Sequence, residues 1–574
     1  MKTRLILPII ILSLQTVDAQ TKTMPEKTAP KTNMSMDERM QNEKDALQKR
    51  REEKAKFPTK YIDPLNTVIR KLPNGLTFYL SVNKDEPRVQ TYIAVKAGSK
   101  FDPSDNTGLA HYLEHMMFKG THKYGTSNWE AEKTLLEKIS ALYEKHKAEK
   151  DPEKKKAIYQ EIDKASYEAS KLAIPNEYDK MISSLGAKGT NAYTSNDQTV
   201  YVNDIPANEL EKWMMVESER FQTLVLRLFH TELEAVYEEY NISQDNDRRW
   251  AYANLMKALY PNHPYGTQTT IGEGEHLKNP SMVNIHNYFN KYYVPNNIAI
   301  CISGDIDVEL TTGLIEKYFS DWKSKDIKPF VQPTLPAIKA PISVENFGPQ
   351  DEFVFVGYRM PAANSKECLK LKMIDRILSN GSAGLIDLDI MQKQKLLSAS
   401  SSYHLMHDHS IHALYGKPRV GQSLDEVRNI LLEEVQKLKK GDYEDWMVFA
   451  AMNDIKVEFL KSLEVNRNRA GAFVEAFTLD YEWKDYISQL DDMREITKAD
   501  LVAFANKYYG NNYAVSYKRK GENNKPKVNK PKITPIVLNR DSSSGFAKNF
   551  FSVKSRDIEP VFIDLSTNMM NHRF

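Results

Sequence analysis

His111, Glu114 and His115 fall within one pentapeptide, His111-Tyr-Leu-Glu-His115. In a helix, positions 111 and 115 lie one turn apart and position 114 projects from nearly the same face. Two imidazoles and a carboxylate therefore converge. Neutral imidazole suits zinc, and a carboxylate close to a metal without binding it can take a proton from water. The spacing predicts a metal centre with a base beside it, carried by an apolar helix that Asp105-Asn-Thr-Gly108 opens.

A catalytic zinc takes three protein ligands and keeps a fourth position open. The next acidic cluster, Glu232-Leu-Glu-Ala-Val-Tyr-Glu-Glu239, reads as a helix. Glu232 and Glu239, seven apart, share one face two turns from each other, while Glu234 and Glu238 share another. Spacing alone leaves Glu238 and Glu239 as rival third ligands.

Three stretches together carry a resemblance: HYLEHMMFKGT from His111, GTNAYTSNDQTVY from Gly189 to Tyr201, and Glu232 to Glu239. They resemble the zinc-peptidase half of the pitrilysin/insulinase family, whose HxxEH order inverts HExxH and which includes the processing peptidases. The likeness extends over most of residues 60 to 520. It implies that His111, His115 and Glu239 hold one Zn2+ per chain, with Glu114 as general base and Glu232 supporting the site. It further implies an α+β fold of two homologous α/β-sandwich units in tandem, forming one half of a clam-shaped peptidase chamber. Family members add the substrate peptide to an edge strand, here Asn191, Ala192 and Tyr193; main-chain hydrogen bonds hold an unfolded peptide without demanding a sequence.

The expected function is that of a zinc-dependent endopeptidase for unfolded peptides or small proteins. The alternative is a non-catalytic scaffold or peptide-binding subunit of a larger complex. A half-chamber needs a second half, so a homodimer or heterodimer is expected. Relatives often bring an Arg and a Tyr, seven apart, from the opposite half to steady the oxyanion; the corresponding positions here hold Met391 and Ser398, which cannot do so. A second subunit is therefore expected to supply that group.

The elements that must position these residues follow in order. Met1-Lys-Thr-Arg precedes an apolar run, Leu5 to Leu14, too short to span a bilayer, and Val17-Asp-Ala19 reads as a cleavage site. Residues 1–19 are thus expected to be a signal peptide for export, to the periplasm or beyond, and no later stretch reads as a membrane span. A polar leader, 20–58, gives way to a zinc-binding domain, 59–325, which starts with a hairpin turning at Pro73-Asn-Gly75. A charged helical hairpin is expected at about 130–180, broken at Asp151-Pro152. A proline-bearing linker, 326–343, leads to a second homologous domain without zinc ligands, 344–520, and a tail, 521–574. The duplication shows in two Asn-Lys-Tyr-Tyr tetrads, at 290 and 506, each at a helix end before a strand.

Composition is consistent with several packed cores. The chain has 574 residues, 41% of them hydrophobic, and 79 basic against 77 acidic residues give a net charge of only +2. No basic excess points to nucleic acid. Cys301 and Cys368 lie in apolar patterns that suit either a disulfide or two buried thiols.

Overall fold

A computed structural model describes residues 63–523, 525, 527, 528, 532–536 and 542–557, together with positions 41 and 45. The expected signal peptide and nearly all of the leader lie outside the described residues, as does the apolar piece Pro560–Leu565. The chain divides into a unit of residues 1–59 and a unit of residues 60–574, and all that follows concerns the second.

Two sheets repeat one plan. The first is built from β1 (Val68–Lys71), β2 (Thr77–Val82), β3 (Arg88–Val95), β4 (Lys188–Thr194), β5 (Thr199–Pro206) and β6 (Ile298–Gly304), in the order β1-β2-β6-β3-β5-β4. The second contains β7 (Ile342–Gly348), β8 (Phe353–Met360), β9 (Ser398–His404), β10 (Ser410–Lys417) and β11 (Tyr513–Lys520), in the order β7-β11-β8-β10-β9. Leaving β1 aside, the two orders superimpose strand for strand. Both contain a single parallel pair, β2 with β6 and β7 with β11, among antiparallel neighbours. In each half β6 or β11 is the strand that follows an Asn-Lys-Tyr-Tyr tetrad. β4 and β9 are equivalent edge strands.

The helices that matter to the site are α1 (Leu109–Met116), α2 (Trp129–Ala148), α3 (Pro152–Ser170), α4 (Phe229–Gln244), α5 (Asp247–Leu259), α6 (Met282–Tyr292), α7 (Asn466–Thr478) and α8 (Lys498–Tyr508). Alternation along the strands sends side chains to two cores. On one face of the first sheet, Phe78, Leu80, Ile93, Ile300 and Ile302 meet Leu109, Leu113 and Met116 of α1. On the other face, Tyr79, Tyr92, Ala94 and Cys301 meet Phe473 and Ala476 of α7, a helix from the far half of the chain. The exchange is reciprocal, because α5 lays Ala251, Leu255 and Leu259 against Phe353, Phe355 and Ala514 of the second sheet. Each half thus covers the open sheet face of the other.

The charged stretch between the first two motifs forms the expected helical hairpin. Asp151 caps α3 by accepting from the Glu153 and Lys154 N–H groups, and Pro152 fills the first helical position, where no N–H is needed. The hairpin packs into the main core, where Ile139, Leu142, Tyr143, Ile158 and Ile162 are buried. The described tail lies on the chain's own first half. Val528 exchanges two hydrogen bonds of 2.9 Å with the Asn241 side chain on α4, Thr534 N–H donates to Asp163 on α3, and Phe550 is fully buried. Both cysteines are free and buried. No helix among the described residues is long and apolar enough to cross a membrane.

Candidate metal centre

α1 and α4 place the candidate ligands. Leu109, Ala110, Tyr112, Leu113 and Met116 turn inward on α1, leaving His111 and His115 on its partly open side. The N-terminal N–H groups of α1 are not capped from Asp105. Gly108 precedes the helix in the left-handed region, φ +83°, where an added Cβ would sit 2.7 Å from the Ile271 carbonyl oxygen. That turn aims the Gly108 and Ala110 N–H groups at the buried Asp102 carboxylate, at 2.8 and 2.9 Å. Asp102, six residues before Gly108, carries no motif signal in the sequence.

α4 is tied to α1 at its start, where the Tyr112 hydroxyl donates to the Phe229 carbonyl at 2.5 Å. Just before α4, the buried Arg227 guanidinium forms a two-pronged pair with Glu132 on α2, at 2.7 and 2.8 Å, and donates to the carbonyls of Lys119, Thr121 and Tyr124. The α2–α3 hairpin is therefore part of the scaffold that sets α4 against α1.

The result is a convergence of three donor atoms. One atom each from His111, His115 and Glu239 lies within 4.8 Å of the others. The two Nε2 atoms are 3.3 Å apart, and Glu239 Oε2 lies 3.4 Å from His111 Nε2 and 3.5 Å from His115 Nε2. Of the rival carboxylates, Glu239 faces the imidazoles and Glu238 is exposed. Two imidazole nitrogens and one carboxylate oxygen facing a common point are a donor set that fits zinc.

Glu232 sits behind His115. Its carboxylate accepts from His115 Nδ1 at 2.9 Å and pairs with the Lys119 ammonium at 2.6 Å, which leaves Nε2 of His115 directed at the common point. Burial alone would raise the Glu232 pKa, but His115 and Lys119 outweigh it and hold the carboxyl down to about 2. His115 is likewise disfavoured as a cation by burial, yet Glu232 and Glu239 raise it to about 10. Burial lowers His111 to about 4, helped by the charge of His115. The His111 Nδ1 is buried without a hydrogen-bond partner.

Glu114 lies beside this group, and its carboxylate accepts from the Thr194 hydroxyl at the end of β4. Burial raises its pKa, a shift the Thr194 bond and the His115 charge reduce. β4 pairs only with β5, in the register Asn191↔Val202, Ala192↔Tyr201, Tyr193↔Val200. Its other edge is free of strand partners among the described residues, with Asn191 and Tyr193 exposed and Ala192 turned inward. The structure thus brings His111, Glu114, His115, Glu232 and Glu239 together, with the strand carrying Asn191, Ala192 and Tyr193 alongside. Met391 ends a π-helical turn, Asp387–Met391, and Ser398 begins β9, the edge of the other sheet.

A paired α/β architecture with a His-His-Glu group and a further carboxylate beside an open strand edge defines the class: a metallopeptidase-type half-chamber. Comparison with known proteins agrees. Residues 78–160 and 151–271 match the family described as Insulinase (Peptidase family M16), and residues 283–453 match its Peptidase M16 inactive domain. The chain belongs to the M16 (insulinase/pitrilysin) family. The zinc protease PqqE of Helicobacter pylori is 25% identical over 433 residues, 73% of this chain and 85% of that protein. The mitochondrial-processing peptidase subunit beta of Saccharomyces cerevisiae is 23% identical over 468 residues, 76% and 87% of the two chains. Among solved structures, a protease from Helicobacter pylori matches with a TM-score of 0.65 at 21% identity, covering 79% of this chain and 99% of that one. The first half of the periplasmic protease PqqL from Escherichia coli matches with a TM-score of 0.60 at 16% identity, covering 80% and 92%.

One consequence concerns Glu232 alone. Glu232→Gln keeps the shape but removes the charge that orients His115, so zinc affinity is expected to fall about 10–100-fold. Competition with a chelating dye on the purified variant measures it. Unchanged affinity would mean that Glu232 does not support the site.

Proposed function

We propose that this chain is an exported zinc-dependent endopeptidase that hydrolyses unfolded peptides. The single observation that carries the reading is the placement of Glu114: one buried carboxylate, oriented by a residue of an open edge strand and adjacent to a three-donor metal group. Bound there, zinc would polarise a peptide carbonyl and acidify a water molecule.

The chain's own residues do the rest. His111, His115 and Glu239 hold the ion, and Glu232 fixes the orientation of His115. The edge of β4 at Asn191–Tyr193 receives the peptide backbone as an added strand, so the same strand that binds substrate also aims the base through Thr194. Glu114 takes the proton from the attacking water and returns it to the departing amine nitrogen.

The half-chamber reading, supported by the likeness to PqqL, whose first half matches, calls for a second copy or a second subunit to enclose the peptide. Met391 and Ser398 stand where relatives carry the Arg and Tyr, and a second copy would repeat them, so a different second subunit would bring the electrophile. The short apolar run Leu5–Leu14 supports export, to the periplasm.

The test is cleavage of a mixture of unstructured peptides by the purified chain, before and after removal of metal by a chelator and after its restoration. Cleavage that is lost and regained with zinc is the expected result. A chain that binds zinc and peptide without cleaving, alone or as an assembled dimer, would place it with the non-catalytic scaffolds.

A further inference from the structure

A cavity of about 460 Å³ opens where β4 ends, between that strand and the equivalent edge strand β9, with α7 as its floor. Tyr193 and Tyr403, the exposed aromatic side chains of the two edge strands, stand on its walls, beside His404 and Lys372. α7 contributes Gly471 and, one turn later, Glu475.

Glu475 is the carboxylate of the lining that no cation pairs. Its carboxylate accepts a hydrogen bond from the Tyr486 hydroxyl at 2.8 Å, and no basic side chain among the described residues forms an ion pair with it. Asp197 is neutralised by Lys100 at 2.7 Å, the Lys372 ammonium donates to the neutral Gln489 carbonyl oxygen at 2.8 Å, and at the Tyr193 hydroxyl Arg467 opposes Glu475. Burial holds His404 neutral by lowering its pKa. The Tyr403 hydroxyl, raised first by burial, also feels Asp375, Glu475 and Glu458 against Arg376 alone.

Gly471 supplies an independent sign that the space is kept open. It sits inside a helix, where glycine is unfavourable, and a Cβ built on it would meet nothing within 4 Å. Packing does not require the glycine. Any larger residue would project into the cavity.

Resting on the peptidase reading above, we propose that this cavity is a subsite for a basic side chain of the substrate, Lys or Arg, with Glu475 as its counter-charge and the rings of Tyr193 and Tyr403 as its walls. A peptide laid along β4 reaches the cavity as it leaves the strand. An ammonium or guanidinium there gains a charge-assisted hydrogen bond and cation–π contact together. Such a site selects peptides by one charge while the backbone contacts stay indifferent to sequence.

The test uses unstructured ten-residue peptides that are neutral except for one Lys moved through every position, each with free and acetylated N-termini. Binding is read by fluorescence anisotropy on zinc-loaded Glu114→Gln protein, and cleavage on the parent chain. One or two Lys positions should tighten binding about tenfold and lower KM, acetylated or not. In Glu475→Gln that basic-to-neutral ratio should fall to about one, and Glu475→Lys should favour the corresponding Glu peptides. Gly471→Leu, which fills the cavity, should also erase the ratio. Equal binding of Lys and neutral peptides, or a preference that vanishes on acetylation, would overturn the subsite. Failure to cleave the neutral parent would instead count against the peptidase reading, because the binding arm needs no turnover.

Discussion

Glu114→Gln protein should bind zinc as tightly as the parent chain and turn over peptide about 10²–10⁴-fold more slowly. The amide keeps the size of the carboxylate and can still meet the Thr194 hydroxyl, so neither α1 nor the end of β4 has reason to move. What disappears is the ability to take a proton from water and return it to the amine. The loss should fall on kcat, with KM little changed, because Glu114 is not among the groups that receive the peptide backbone. Zinc content by metal analysis and steady-state kinetics on one unstructured peptide measure both halves of the claim. A variant that loses zinc would show Glu114 to be a ligand. One that cleaves normally would remove it from the chemistry.

How much of this was legible depended on the range of the interaction. The HYLEH pentapeptide could be read because i and i+4 on a helix are neighbours by construction, whatever surrounds them. Spacing made Glu232 and Glu239 legible as one face, and only the family resemblance named a ligand and its support. Which carboxylate faces the imidazoles depends on which side of α4 meets α1, and that is set by Arg227, Tyr112 and the α2–α3 hairpin rather than by α4 itself. The duplication was legible from the Asn-Lys-Tyr-Tyr tetrads, since each ends a helix ahead of a central strand. The exchange of α5 and α7 between the sheets was not, because nothing in either helix names the sheet it covers. Asp102 was missed for a related reason: Gly108 bends the chain so that the cap comes from outside the usual window of one to three residues. The α2–α3 hairpin was legible as two helices around Asp151-Pro152, but its bond to the site runs through Glu132, one acidic residue among many.

The longest-range feature gives the second large effect. Lys100, in the turn that follows β3, lies between Asp197 at 2.7 Å and Asp408 at 3.1 Å, all three side chains at most 7% exposed. Asp197 belongs to the loop that ends β4; Asp408 belongs to the β9–β10 connection of the other sheet. The Tyr265 hydroxyl donates to Asp197 and accepts from the Asp408 N–H, and His263 meets Asp408 at 3.2 Å, so the cluster fastens the β4–β5 loop to the second sheet. Lys100→Met would leave the buried Asp197 carboxylate without a cation and Asp408 with His407 as its remaining one, at a cost of about 3–5 kcal/mol. Urea unfolding followed by tryptophan fluorescence reads the loss, and Lys100→Met combined with Asp197→Asn should recover part of it by removing the unpaired charge.

His407 extends the same cluster outward. Its hydrogen bonds to Asp408 and Asp480, of 2.6 and 2.7 Å, raise it to about 9. A histidine raised in the folded state stabilises it fully below its unfolded value near 6.5 and loses that contribution as pH climbs through about 9. The parent chain should therefore weaken between pH about 7 and about 9, and His407→Gln should flatten that slope. A parent profile that stays level over this interval would mean that His407 carries no charge in the fold. In that case the cation holding Asp408 would be Lys100 alone, and the penalty for Lys100→Met should approach the upper end of its range.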